Sequence, residues 1–166
     1  VGNGGNYENL IVTDSSTDVV IEDTTDKVRA VLKSSLADGS NEDEGSITYS
    51  VVLKTASGLD YEPTTDEIIT FTLNDGTEVS VTVEAGKTTG ETTLSWDENG
   101  SDLNSLADAD VFKDTTSVSV DTNSVSITNN SGYEKLVVVD KTETHDVEDT
   151  IDTLYVKLLS SDTTHE

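Results

Sequence analysis

The chain has 166 residues, of which 34 are acidic and 9 basic, giving a formal net charge of −25. That balance excludes a phosphate-binding surface built on clustered Lys and Arg, so nucleic acid is not a partner, and it disfavours an anionic membrane surface. Cysteine is absent, which removes disulfides and thiol chemistry and leaves bound metal as the obvious staple for an extracellular fold.

Helical periodicity is hard to find, whereas alternation recurs along the chain. Residues 27–33 place Val28, Ala30 and Leu32 on one face, and residues 46–54 do the same with Ile47, Tyr49, Val51 and Leu53. The only proline, Pro63, falls in a loop. Residues 67–83 read as a hairpin in which Ile69, Phe71 and Leu73 alternate, Asp75-Gly76 turns, and Val79, Val81 and Val83 return. Residues 90–96 are another strand. Residues 101–112 hold one helical candidate, a single turn with Leu103 and Leu106 three apart. Residues 117–127 form one long strand, bulged near Asn123, and residues 133–139 form the last. The pattern predicts an all-β fold, an immunoglobulin-like antiparallel β-sandwich of seven to eight strands. Trp96, Tyr49 and Phe71 are assigned to its core, and Tyr61 is the one exposed aromatic candidate.

The chain also nearly repeats itself. Tyr7 aligns with Tyr133, 126 positions on, and at that offset Tyr7, Glu8, Leu10, Val12, Asp14, Glu22, Asp23, Thr24, Asp26, Leu32, Ser34 and Ser35 all recur. The sequence therefore reads as a slice of a tandem array. Residues 1–21 are the closing strand of a preceding repeat plus linker, 22–147 one complete repeat, and 148–166 a linker and the opening strand of the next. Segments 7–14 and 153–161 are then unpaired edges. They can dock against each other, against a neighbouring molecule or on an edge of the domain.

Among candidate ligands the linker acids come first: Glu22, Asp23 and Asp26 recur as Glu148, Asp149 and Asp152. Calcium takes roughly 6–8 hard oxygens, which carboxylates, carbonyls and water supply. The competing reading is a turn capped by Asx hydrogen bonds. If strands alternate in direction, the closing strand exits beside loop 36–44, the Asp75 turn and loop 97–114. Asp108, Asp110 and Asp114 then become partners for Glu148, Asp149 or Asp152, although a D-A-D pair suits a bare polar loop equally. Loop 56–66, with Asp60, Glu62 and Asp66, lies at the other end. The EF-hand spacing is absent. Catalysis finds little support: His145 and His165 sit in polar stretches and no G-x-S-x-G occurs, so no enzyme is expected.

Segments 4–12 (GGNYENLIV), 22–26 (EDTTD), 44–53 (EGSITYSVVL), 73–90 (LNDGTEVSVTVEAGKTTG) and 148–152 (EDTID) together resemble the extender repeats of giant RTX-type, LapA-like bacterial surface adhesins, and more loosely the Calx-β sandwich. That resemblance implies type I secretion, an extracellular location on a Gram-negative cell surface, and calcium-dependent rigid rods serving adhesion and biofilm formation. The implied partners are neighbouring repeats of the same polypeptide, with no membrane insertion by this segment and no obligate oligomer. The first linker reads DTTD rather than DTID, and residues 97–114 are an acidic insertion. The alternative is a carbohydrate- or host-surface-binding module of the same adhesin, for which aromatics at 5% offer little platform.

Overall fold

The computed structural model describes residues 27–106, 116–128, 135–139 and 144–159. Within them lie ten strands and one 3-10 turn. The strands are β1 (Lys27–Leu36), β2 (Gly45–Thr55), β3 (Glu67–Leu73), β4 (Glu78–Val83), β5 (Thr89–Asp97), β6 (Gly100–Ser101), β7 (Thr116–Val118), β8 (Val120–Thr128), β9 (Lys135–Val139) and β10 (His145–Val147). The protein is all-β, as its alternation predicts. No helix among the described residues is long and apolar enough to cross a membrane.

Alternation along β2 organises the packing. Ile47, Tyr49, Val51 and Leu53 are all buried, and β2 pairs antiparallel with β1 on one side and β5 on the other. The resulting sheet runs β6-β5-β2-β1-β9. A second sheet runs β4-β3-β8, and β10 pairs with β7 in a small third one. Val28, Ala30 and Leu32 of β1, Ile69, Phe71 and Leu73 of β3, and Val79, Val81 and Val83 of β4 turn toward the same core. The Tyr49 and Phe71 rings meet edge to face at 5.2 Å between centroids, joining β2 to β3 across the sheets. Tyr61 is half-buried against this core, so the expected exposed aromatic is a packing residue.

β1 and β9 pair in parallel, from Lys27 opposite Lys135 to Val31 opposite Val139. No hairpin can join parallel neighbours, and here nearly the whole module intervenes. The chain therefore enters at one end of the sheet and leaves β9 at the other.

The hairpin forms as expected. Gly76 takes φ +86°, its N–H donates to Leu73 O at 3.0 Å, and Leu73 N–H donates to Thr77 O at 2.8 Å. The long strand at 117–127 is corrected to two, β7 and β8. The Asn74 side chain accepts from Ser119 N–H at 2.9 Å and donates to Ser117 O at 2.7 Å, fixing the switch between sheets. The bulge lies where Asn123 suggests: register jumps from Thr70 opposite Ser126 to Thr72 opposite Asp121. Ser124 Oγ fills the gap by accepting from Thr72 N–H at 2.7 Å. The helical candidate reduces to the 3-10 turn at Asn104–Leu106, with Leu103 and Leu106 buried; residues 107–112 lie outside the described residues.

Over its described part, segment 153–161 lies in no sheet. Residues 151–159 belong to no strand, and Ile151, Leu154, Tyr155, Val156, Leu158 and Leu159 are each at least 71% exposed. Segment 7–14 lies outside the described residues.

Phe71 is fully buried, so Phe71→Ala is expected to cost about 3–5 kcal/mol of unfolding free energy, measured by urea denaturation. A loss below about 1 kcal/mol would show that the two sheets do not share a tight core.

Candidate functional site at the chain exit

Residues 37–44 form a loop built from its own polar side chains. Asn41 Oδ1 accepts from Asp43 N–H at 2.9 Å and Glu44 N–H at 3.1 Å, an Asx arrangement that bends the backbone without a ladder partner. Trp96 packs behind it and donates from Nε1 to Asn41 O at 2.6 Å. That approach needs glycine at 45, because a Cβ there would lie 2.4 Å from Trp96 Cζ2.

So held, Glu42 meets the departing chain. Its N–H donates to Glu148 O at 2.9 Å, beside a parallel bridge between Asn41 and Glu148. Its Oε1 accepts both the Thr150 N–H and the Thr150 hydroxyl, each at 2.9 Å. Just upstream, Val147 is buried in the core, β10 pairs with β7, and His145 Nε2 lies 2.8 Å from Ser34 Oγ. His145 is thus a strand residue with a hydroxyl partner. Residues 145–150 are fastened to the module as one stretch.

The Thr150 amide holds the Glu42 carboxyl below the usual carboxylate range, against the opposing pull of desolvation. The Thr150 hydroxyl and the neighbouring Asp149 side chain add to the lowering. Glu42 is 7% exposed, so an acid here without hydrogen-bond donors would be costly.

Next to the clamp an open cleft of about 630 Å³ is lined by Glu42, Asp43, Asp97 and Glu98, with Asn99, Ser101 and Leu106. Asp97 Oδ1 accepts from Asn99 N–H at 2.7 Å. Asp75 ties the hairpin to the 3-10 turn, accepting from Thr77 N–H at 2.9 Å and Ser105 N–H at 3.0 Å. Burial pushes the Asp75 carboxyl up, but these amides outweigh it and hold it low.

Loop 36–44 therefore meets residues 148–150, as alternating strand directions require. Of the expected ligands, Asp149 lies beside Glu42, Glu148 contributes its carbonyl to the Glu42 amide while the residue as a whole is exposed, and Asp152 is exposed. Glu22, Asp23, Asp26, Asp108, Asp110 and Asp114 lie outside the described residues. Leu106, the last described residue before 107–115, lines the cleft. Among the described residues no three His, Cys, Asp or Glu side chains stand close enough together to hold a metal ion. At the far end, Asp60 pairs with Lys54 and Asp66 Oδ1 accepts from Ala85 N–H at 2.9 Å. Thr150 was missed as a functional residue, although its recurrence as Thr24 between repeated acids was the available signal. Comparison with family models, curated proteins and solved structures finds no match for the chain.

A carboxyl whose folded-state pKa is depressed adds stability that is complete above its ordinary value, here 4.5. That stability disappears as pH falls through the lower folded-state value. The stability advantage of the native chain over Glu42→Gln is expected to stay level at neutral pH and to shrink below the ordinary value, measured by urea melts across pH. An advantage that persists unchanged in strong acid would remove the charged clamp. Thr150→Val, which deletes only the hydroxyl donor, is expected to cost about 1 kcal/mol.

Proposed function

We propose that the chain is a spacer module of a long extracellular adhesin, an immunoglobulin-like sandwich repeated in series and stiffened at its junctions by calcium. The observation that carries this reading is the parallel pairing of β1 and β9. β1 and β9 run the same way, so the chain enters β1 and leaves β9 at opposite ends of the sheet, and successive copies extend a line rather than fold back. β1 has ten residues, an advance of about 33 Å at roughly 3.3 Å per residue. The fastening of residues 145–150 gives the exit a fixed direction, which a rod needs and a flexible tether does not.

Calcium suits the donor chemistry, since Glu42, Asp43, Asp97 and Glu98 offer hard oxygens around one cleft. The described side chains alone fall short of a ligand set. In this reading Asp108 and Asp110, just beyond Leu106, complete it together with Asp149, while Glu148, Asp152 and the equivalent Glu22, Asp23 and Asp26 surround the junction. A bound cation would neutralise like charges that otherwise repel across the joint. Type I secretion, the Gram-negative cell surface and a role in biofilm formation follow from the resemblance to extender repeats. An adhesive ligand site and an enzymatic activity are not needed for this role.

An ion that binds only the folded state at a hundredfold excess over its dissociation constant adds about 2.7 kcal/mol, a rise in melting temperature on the order of 10 °C for a domain of this size. Calorimetric melts in calcium and in chelator are expected to differ by that order. The gap should narrow in Asp97→Asn with Glu98→Gln. Superimposable melts would sink the calcium-stiffened junction.

A further inference from the structure

The nine basic residues are scattered along the sequence, yet the strand register gathers five of them on one surface. Lys27, Arg29 and Lys33 of β1, Lys54 of β2 and Lys135 of β9 lie on the outward face of the large sheet. They alternate with Val28, Ala30, Leu32 and Leu53, which turn into the core. Lys27 stands beside Lys135, and Arg29 stands directly opposite Lys54. β1, β2 and β9 contain no acid at all, in a chain that has 34. The first acid on this face is Glu91 of β5, and Asp60 reaches in from a loop to pair with Lys54.

Like charges facing each other across strands destabilise a sheet, and with so many acids available they could easily have been paired. Lys27, Arg29, Lys33 and Lys135 are instead exposed, and none is ion-paired to a described residue. Edge protection by lysine does not account for them, since β1 and β2 are interior strands. The row from Lys27 to Lys33 is about 20 Å long at roughly 3.3 Å per residue. Half-buried Val31, Val52 and Val137 lie between the charges, and toward β5 the face continues in hydroxyls, with Thr48 bonded to Thr93 at 2.9 Å.

A broad sheet face offers a peptide neither a groove nor a free edge. A second copy would bring its own net charge of −25, which opposes association. Duplex DNA carries a charge about every 1.7 Å of its axis and would run past the patch into acidic surroundings. A polymer of acidic sugars carries fewer charges over the same length, and its hydroxyls match those beside the cations. Recognition by charge also needs no aromatic platform.

We propose that the outward face of β1, β2 and β9 binds an acidic polysaccharide laid along the strands, with Lys27, Arg29, Lys33, Lys54 and Lys135 engaging its carboxylates. The face is distinct from the exit cleft, so binding there stands or falls separately from calcium at the junction.

The test is a titration of end-labelled oligogalacturonate with the full chain, followed by fluorescence anisotropy in calcium-containing buffer. The face variant is Arg29→Glu with Lys33→Glu. Its charge-matched control is Lys87→Glu with Lys157→Glu, two exposed lysines outside the sheet. A third variant, Asp97→Asn with Glu98→Gln, alters only the cleft. The native chain is expected to bind with an affinity that falls as salt rises. The face variant should bind at least about tenfold more weakly, while the control and the cleft variant bind no more weakly than the native chain. Arg29→Gln with Lys33→Gln, which removes the charges without reversing them, should fall between. Circular dichroism matching the native chain shows that the face variants are folded. Absence of binding by the native chain, equal weakening in the control, or binding that survives in the face variant, as bridging by calcium would, overturns the proposal. So does tighter binding of a DNA duplex, which would assign the face to nucleic acid. A native oligomer in sedimentation that the face variant dissolves would assign it to a second copy and overturn the proposal equally.

Discussion

The parallel contact between β1 and β9 governs the polarity of this molecule. Because parallel strands begin at the same end, β1 and β9 cannot share a hairpin, and the chain must traverse the module between them. β2 then becomes the central antiparallel neighbour of β1, its inward residues fixing where the second sheet can pack. Loop 37–44, which follows β1, is brought to the end where β9 finishes. The meeting of Glu42 with Thr150 is a consequence of that polarity, since only this end of the module has the departing chain beside it.

Much of the fold was legible because period-two burial is a strong local signal. Val28, Ala30 and Leu32, or Val79, Val81 and Val83, announce their faces without tertiary information. The Asp75-Gly76 turn was readable for the same reason, since few residues other than glycine adopt its positive φ. The division of the 117–127 strand was not readable. It depends on Asn74, some forty residues away, whose amide engages the backbone on both sides of the switch. β10 escaped notice because a three-residue strand carrying His145 and Asp146 has only Val147 to bury. The clamp itself was half legible: alternation of strands brought loop 36–44 to residues 148–150, but no pattern distinguishes Glu42 from Asp43 until the Asx bend aims one of them at Thr150.

The acids illustrate why composition alone overstates a metal site. Asp66, Asp75, Asp97 and Asp121 each accept a backbone N–H within hydrogen-bond distance, and Asp102 does the same for Ser95. Asp60 is matched by Lys54. These carboxylates shape turns and bind loops, work that Asn or Ser performs elsewhere. Around the exit Glu42, Asp43, Asp97 and Glu98 also border one open space, so there the turn-forming role of Asp97 and a shared acidic cleft coincide.

The position of Trp96 has a practical consequence. It is the chain's single tryptophan, 3% exposed, and its indole N–H is bonded to the residue directly before Glu42. Loosening of the loop would release that bond and admit water to the ring. The molecule thus contains an intrinsic fluorophore placed beside its own fastening point, and the wavelength of its emission reports whether that end is shut without any label being attached.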